Sequence, residues 1–294
     1  MSAVTPPTDQ FVDECRRIVR EVMPIIMEAV SQSARTASKK SDGSLVTSTD
    51  HAVEGYFVRE LERAFPKIAV LGEEMVSAHS VSAEEVPQYY ARFMEAPLQI
   101  IIDPIDGTKN FVEGRREFCI AAALTKRVNH GVWPIAGIVA IPVAGFMYFS
   151  DSRGVFREDI HTGAREPIHR NASEELCVSA SSRDRWWLAT HHYALSHPWI
   201  SSGSSVHDFL GTATGTLSGS VIGAQRLWDL MAPLAIAERL GCHLLDLETG
   251  APIHEIVPAD LSPELLRRPW GLMRRMMLLS PDLKVGDLIC TSPN

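Results

Sequence analysis

The run Leu98 to Ile102 ends directly on Asp103-Pro104-Ile105-Asp106-Gly107-Thr108, and no other segment restricts the fold as tightly. A short apolar run closed by turn residues reads as a buried strand. Its end offers two carboxylates three positions apart on a turn stiffened by Pro104, a geometry that lets both reach one pair of ions. Hard divalent cations such as magnesium prefer oxygen ligands of this kind. Gly107 lets the backbone approach a ligand closely, and the residues after it can open a helix whose free N–H groups face an anion. The same pattern also makes a good turn in which aspartate caps backbone donors. Taken alone, the segment leaves both readings open.

Other segments supply carboxylates in comparable places. A second apolar run, Ile68 to Leu71, closes on Gly72-Glu73-Glu74, and Trp228-Asp229 precedes a helical pattern from Leu230 to Leu240. These are positions where α/β folds commonly build active sites. Before them, Phe11, Cys15, Ile18, Val19, Val22, Ile26, Met27 and Val30 recur at helical spacing, and a second helix is expected with Asp50 as N-cap, Val53, Phe57, Leu61 and Ala64 as its buried stripe and Pro66 as its stop. Ser77 to Ala96 reads as a polar surface excursion with some helix, and Phe118 to Phe156 as an antiparallel meander of strands.

The turn-rich stretch Asp159 to Asn171 separates an N-terminal α+β part, residues 1–172, from a C-terminal α/β part, residues 173–294. In the latter, Leu176 to Ser179, Ser205 to Thr214, a strand near Val221 and Ile222, the helix with Gly241 at its C-cap, Cys242 to Asp246 and a last strand Met276 to Ser280 follow in turn. The fold class is mixed α/β, in two coupled halves.

With 294 residues, 45% of them apolar, the chain can bury a large core. Its net charge of −8 offers no broad basic face for nucleic acid, so a small polar substrate is expected instead. The five cysteines are scattered without a CxxC pair, which predicts reduced, buried thiols and a cytoplasmic location. No signal peptide is visible, and no apolar stretch reaches the roughly 20 residues a membrane span needs.

In order along the chain, Leu45-Val46-Thr47-Ser48-Thr49-Asp50, Gly72-Glu73-Glu74, Asp103-Pro104-Ile105-Asp106-Gly107-Thr108 and Trp228-Asp229 resemble the motifs of the inositol monophosphatase family. The resemblance implies a layered αβαβα sandwich of the inositol monophosphatase and fructose-1,6-bisphosphatase type, with the site between the two halves. It implies a Mg2+-dependent phosphatase of small phosphorylated metabolites holding two or three ions, commonly a homodimer and sensitive to lithium. Glu73, Asp103 and the backbone carbonyl of Ile105 would hold one ion, Asp103, Asp106 and Asp229 a second, and Glu73 also a third. Thr108, supported by Asp50, would orient the attacking water, while the N–H groups of Gly107 and Thr108 cradle the phosphate. Lys40 would add positive charge at the mouth of the site, or be a solvated lysine beside Lys39.

The alcohol part of the substrate stays open among branches. Inositol and histidinol phosphatases often carry a glutamate seven positions before the last aspartate; here that position is Ile222, which cannot make its hydrogen bond. Histidinol-phosphate-like and inositol-phosphate-like substrates are nevertheless expected first, whereas Lys109-Asn110 resembles the histidinol phosphatase and bisphosphate nucleotidase branches. Gln225 and Arg226 offer polar handles, Arg226 for a second phosphate or a carboxylate. Gly203 and Ser204 are expected to touch the substrate, with Ser205 as a helix N-cap. His191, His192, His197 and His207 have no metal-ligand spacing, and Trp186, Trp187 and Trp199 are expected to pack. A regulatory protein of the same fold, acting by binding a macromolecular partner, is the alternative function.

Overall fold

The computed structural model describes residues 7–31, 37–39, 45–77, 86–171, 175–223, 225–261, 272 and 274–291. Lys40 lies outside these residues, as does 78–85 of the expected excursion, whose remainder holds the helix Val86–Glu95.

The first helix, Pro7–Ser31, buries Phe11, Cys15, Ile18, Val19, Val22 and Ile26 as a single stripe, while Met27, counted in that stripe, is exposed. The second, Ser48–Ala64, is capped by Thr47 and not by Asp50. Thr47 Oγ1 accepts from the N–H groups of Thr49 and Asp50, and Asp50 reaches back to accept from Thr47 N at 2.9 Å. This reciprocal box satisfies the open end of the helix. It also turns Asp50 inward, leaving it 1% exposed.

Among the described residues the larger sheet has seven strands whose spatial order follows the chain: Ala69–Gly72, Leu98–Asp106, Cys119–Val128, Gly131–Ile141, Phe146–Asp151, Gly154–Asp159 and Arg165–Pro167. The first two are parallel and the rest form the expected antiparallel meander. Period-two alternation sends each strand's side chains to opposite faces. Ile100, Ile102, Ile120, Ala122 and Leu124 pack on the first two helices, whereas Ile101, Ala121, Ala123 and Val139 face a different core.

That second core contains the helices Ser205–Thr214 and Leu227–Arg239, closed from beyond by a five-stranded sheet in the order Trp199–Ile200, Val178–Ser179, Gly219–Ile222, Met276–Leu279 and His243–Asp246. Met276 and Leu278 join the central helices, while Met277 and Leu279 pack outward with Leu188 and Leu288. The layers therefore run helix, sheet, helix, sheet, helix, the sandwich that the resemblance implied.

Some expectations need correcting. Met276–Leu279 is not the last strand: Ile289–Thr291 follows and pairs with Tyr193–Leu195. Trp186 is exposed, at 68%; Trp199 is 45% exposed but carries the Arg185 guanidinium over its ring, and Trp187 packs between His191 and Tyr193. All five cysteines are free, but Cys290 is exposed and Cys177 half-buried. No helix among the described residues is long and apolar enough to cross a membrane.

Candidate active site

Asp103 and Asp106 do not sit on a turn after a strand. They belong to the strand Leu98–Asp106, which carries a bulge between them: Asp103 pairs with Ala121 and Asp106 with Cys119, so three steps on one strand match two on its neighbour. In a regular strand, residues three apart face opposite sides of the sheet. The extra residue restores the parity, and both carboxylates turn toward the central helices.

Asp229 completes the group. It stands in the first turn of Leu227–Arg239, where its Oδ2 accepts from Arg226 N at 2.7 Å. Ligand atoms of Asp103, Asp106 and Asp229 all lie within 4.8 Å of one another. Glu73 lies outside this trio, at the start of the short helix Glu73–Ser77, immediately after the strand that pairs with the one carrying Asp103. Its charge nonetheless reaches the trio and raises the carboxyls of Asp106 and Asp229.

Burial pushes Asp106 up to about 7, against the opposing pull of hydrogen bonds from Ser204 Oγ and from Val206 N at 3.0 Å. Asp229 is driven well above the usual carboxylate range by burial and by Asp106. Carboxylates crowded in this way are stabilised by a shared cation. The ligand atoms are oxygens, with neither imidazole nor thiolate among them, which suits magnesium. Cys119 stands close, but burial and Asp106 hold its thiol well above its ordinary range, so it stays protonated.

Beside the trio, Thr108 opens the helix Thr108–Glu113, after Gly107 at φ 84°. A side chain at Gly107 would be strained there, and its Cβ would lie 3.0 Å from Glu117 O and 3.1 Å from Ser204 Cβ. Thr108 Oγ1 donates toward Asp50 Oδ1 at 3.2 Å and toward Ile105 O at 3.1 Å. The second oxygen of Asp50 is held by Thr47, so the capping box at one helix end fixes the carboxylate that orients the threonine.

Ser204, not Ser205, is the N-cap of Ser205–Thr214, accepting from His207 N. Its hydroxyl also donates to Asp106 Oδ2. Gly203, at φ 89°, and Ser204 border a cavity of about 170 Å³ that also reaches Ser179, Ser181 and Gln225. Arg226 is the N-cap residue of the helix bearing Asp229 and is not among the residues lining that cavity. Ile222 is 0% exposed and packs in the core shared by the two sheets.

Two residues of the site, Glu54 and Asp208, were not singled out from the sequence, and Asn110 was noted only as a branch signature beside Lys109. Glu54 accepts from Glu74 N at 2.7 Å and Met75 N at 2.6 Å, bracing the helix that starts at Glu73. Asn110 donates to Glu117 O at 2.6 Å and Ser202 O at 2.8 Å, tying the segment after Thr108 to the loop before Ser204. Asp208 lies on the wall of the cavity. Of the two that were missed, Glu54 left a signal, lying one helical turn after Asp50 on the same face.

A carboxylate trio at a strand bulge and a helix start, beside a threonine braced by a buried aspartate, is an arrangement that could hold a metal ion. Residues 9–278 match the model of the inositol monophosphatase family. The 3'(2'),5'-bisphosphate nucleotidase CysQ of Shigella flexneri is 31% identical over 244 residues, covering 83% of this chain and 93% of the relative. Inositol monophosphatase 1 of Sus scrofa is 32% identical over 288 residues, 96% of this chain and 94% of the relative. The solved structure of the Thermotoga maritima IMPase superposes with a TM-score of 0.65 over 92% of both chains at 19% identity, a likeness of fold.

The chain belongs to the inositol monophosphatase family, whose members are metal-dependent phosphatases of small phosphate esters.

Proposed function

We propose that the protein is a magnesium-dependent phosphoric monoester hydrolase, and that Asp103, Asp106, Asp229, Glu73 and the carbonyl of Ile105 hold its ions. The observation that carries this reading is the convergence of the three aspartates within 4.8 Å beside the Thr108–Asp50 pair. When bound, magnesium supplies the positive charge that neutralises a phosphate ester and makes water acidic enough to attack it. Thr108 directs its proton toward Asp50 and Ile105 O, which leaves its lone pairs to accept a hydrogen bond from the attacking water and orient it. The N–H groups of Gly107 and Thr108, at the start of a helix, face the phosphate. Ser204 steadies Asp106 through its hydroxyl, and Gly203 borders the space for the alcohol.

For the substrate, Ile222 decides the order in which candidates are placed. Its burial leaves no acidic group at the position that inositol and histidinol phosphatases often use. A phosphorylated nucleoside therefore moves ahead of the inositol and histidinol esters, in keeping with the resemblance to bisphosphate nucleotidases. Arg226, whose N–H donates to Asp229, would bind a second phosphate. A cytoplasmic homodimer, with residues 1–172 and 173–294 as subdomains around the site, completes the reading.

The test is phosphate release from adenosine 3',5'-bisphosphate, inositol 1-phosphate and histidinol phosphate, with magnesium and with chelator. Metal-dependent turnover, fastest on the nucleotide, is expected. Absence of turnover on every ester would favour the regulatory binding protein, although such a protein has no use for the braced Thr108.

A further inference from the structure

The cavity of about 170 Å³ beside Ser204 is lined largely by groups that already have partners. Ser179 Oγ donates to Ser220 Oγ at 3.0 Å, Ser181 is bound to Asp184 in a helix cap, Ser204 donates to Asp106, and Gln225 Oε1 accepts from Gly223 N at 2.8 Å. Asp208 differs. It is 7% exposed, on the first turn of Ser205–Thr214, and its Oδ2 accepts a long bond of 3.4 Å from Ser202 N. Its Oδ1 is buried and has no hydrogen-bond partner among the described residues.

A buried carboxylate oxygen without a donor is unfavourable, and native structures rarely leave one unless something else fills the role. The cavity it lines adjoins Asp106 through Ser204, which is where the alcohol half of a phosphate held at the metal site would extend. The surrounding serine hydroxyls can both give and accept hydrogen bonds. A hydroxyl group on the substrate matches that mixture, donating to Asp208 and accepting from Ser201 or Ser205, which also line the cavity. An ammonium group carries donors only.

We propose that Asp208 determines specificity by accepting a hydrogen bond from a hydroxyl of the substrate's alcohol part, adjacent to the phosphate that is cleaved. The proposal rests on the phosphatase reading and adds to it the chemistry of the leaving alcohol. Asp208 has no hydrogen bond to the metal trio or the threonine among the described residues, but its charge raises the Asp106 carboxyl, so its part in selecting the ester is read from the ratio between matched esters that share the metal site.

The test compares matched esters in the presence of magnesium: a ribonucleoside 3',5'-bisphosphate against its 2'-deoxy analogue, and 2-hydroxyethyl phosphate against ethyl and 2-aminoethyl phosphate. The native chain is expected to prefer the hydroxylated member of each set by about tenfold or more in kcat/KM, the effect of one hydrogen bond to a charged acceptor. Asp208→Asn, close in shape but presenting an amide, should reduce that preference to within about threefold, chiefly through KM. Asp208→Ser should do the same, and thermal melting of both variants verifies folding. An unchanged preference in the variants, an equal loss on all esters, or a preference for the amine overturns the assignment. Absence of metal-dependent turnover on every ester by the native chain overturns instead the phosphatase reading on which it rests.

Discussion

Replacing Asp106 by asparagine should stabilise the metal-free protein while abolishing its activity. In the folded chain the Asp106 carboxyl holds its proton up to about 7, against 3.8 for an ordinary aspartate, because burial disfavours its charged form. Between those two pH values the folded state binds more protons than the unfolded state, so stability falls as pH rises through the window. At about 1.4 kcal/mol for each pH unit the ceiling is about 4 kcal/mol. Water and neighbouring dipoles reorient around the charged carboxylate, so the expected gain is roughly 1–3 kcal/mol. Asparagine keeps an oxygen for Val206 N and for Ser204 Oγ, so the hydrogen bonds at this site survive the change. With chelator at pH 8, Asp106→Asn should therefore melt roughly 2–5 °C above the native chain. At pH 5, where the native Asp106 is protonated, the gap should close. Magnesium should raise the melting temperature of the native chain alone. A variant that melts lower than the native chain at pH 8 without metal, or an advantage that does not shrink at pH 5, would refute the reasoning.

Other changes probe the supports of the site. Gly72→Ala places a Cβ about 2.7 Å from Glu54 Oε1, and that carboxylate cannot swing aside without abandoning Glu74 N and Met75 N; denaturant melts should show a loss of about 1–3 kcal/mol, with a weaker magnesium requirement curve because Glu73 follows directly. Thr108→Val removes the oriented hydroxyl and should lower kcat by roughly a hundredfold or more while cation affinity stays within a few fold; Thr108→Ser should restore most of the rate. Asp229→Asn retains the acceptor for Arg226 N, so the circular dichroism spectrum should be native while phosphate release falls by at least about a hundredfold.

Much of the large sheet was legible because apolar runs and turn residues alternate cleanly from Ala69 to Asp159, and the first helix carries a clear helical stripe. Asp103, Asp106 and Asp229 were legible because their types, order and neighbours carry the chemistry. What escaped depends on geometry finer than periodicity. The bulge that aligns Asp103 with Asp106 is a single extra residue, and Pro104 signals an interruption without saying whether it is a turn or a bulge. Thr47 and Asp50 compete as caps, and only the backbone decides which one is outside the helix. Three-residue strands such as Ile289–Thr291 are too short for a pattern to register. Asp208 was hidden because its significance lies in an oxygen left without a donor, a property of packing and not of sequence.

The central claim is that Asp103, Asp106 and Asp229 together hold the cation on which hydrolysis depends. Titration of the metal-free protein with Mn2+, a magnesium substitute visible by electron paramagnetic resonance, tests it most directly. The native chain should bind Mn2+ saturably and in competition with magnesium, and Asp103→Asn should lose at least about tenfold in affinity. Binding of equal strength in Asp103→Asn, Asp106→Asn and Asp229→Asn would contradict it.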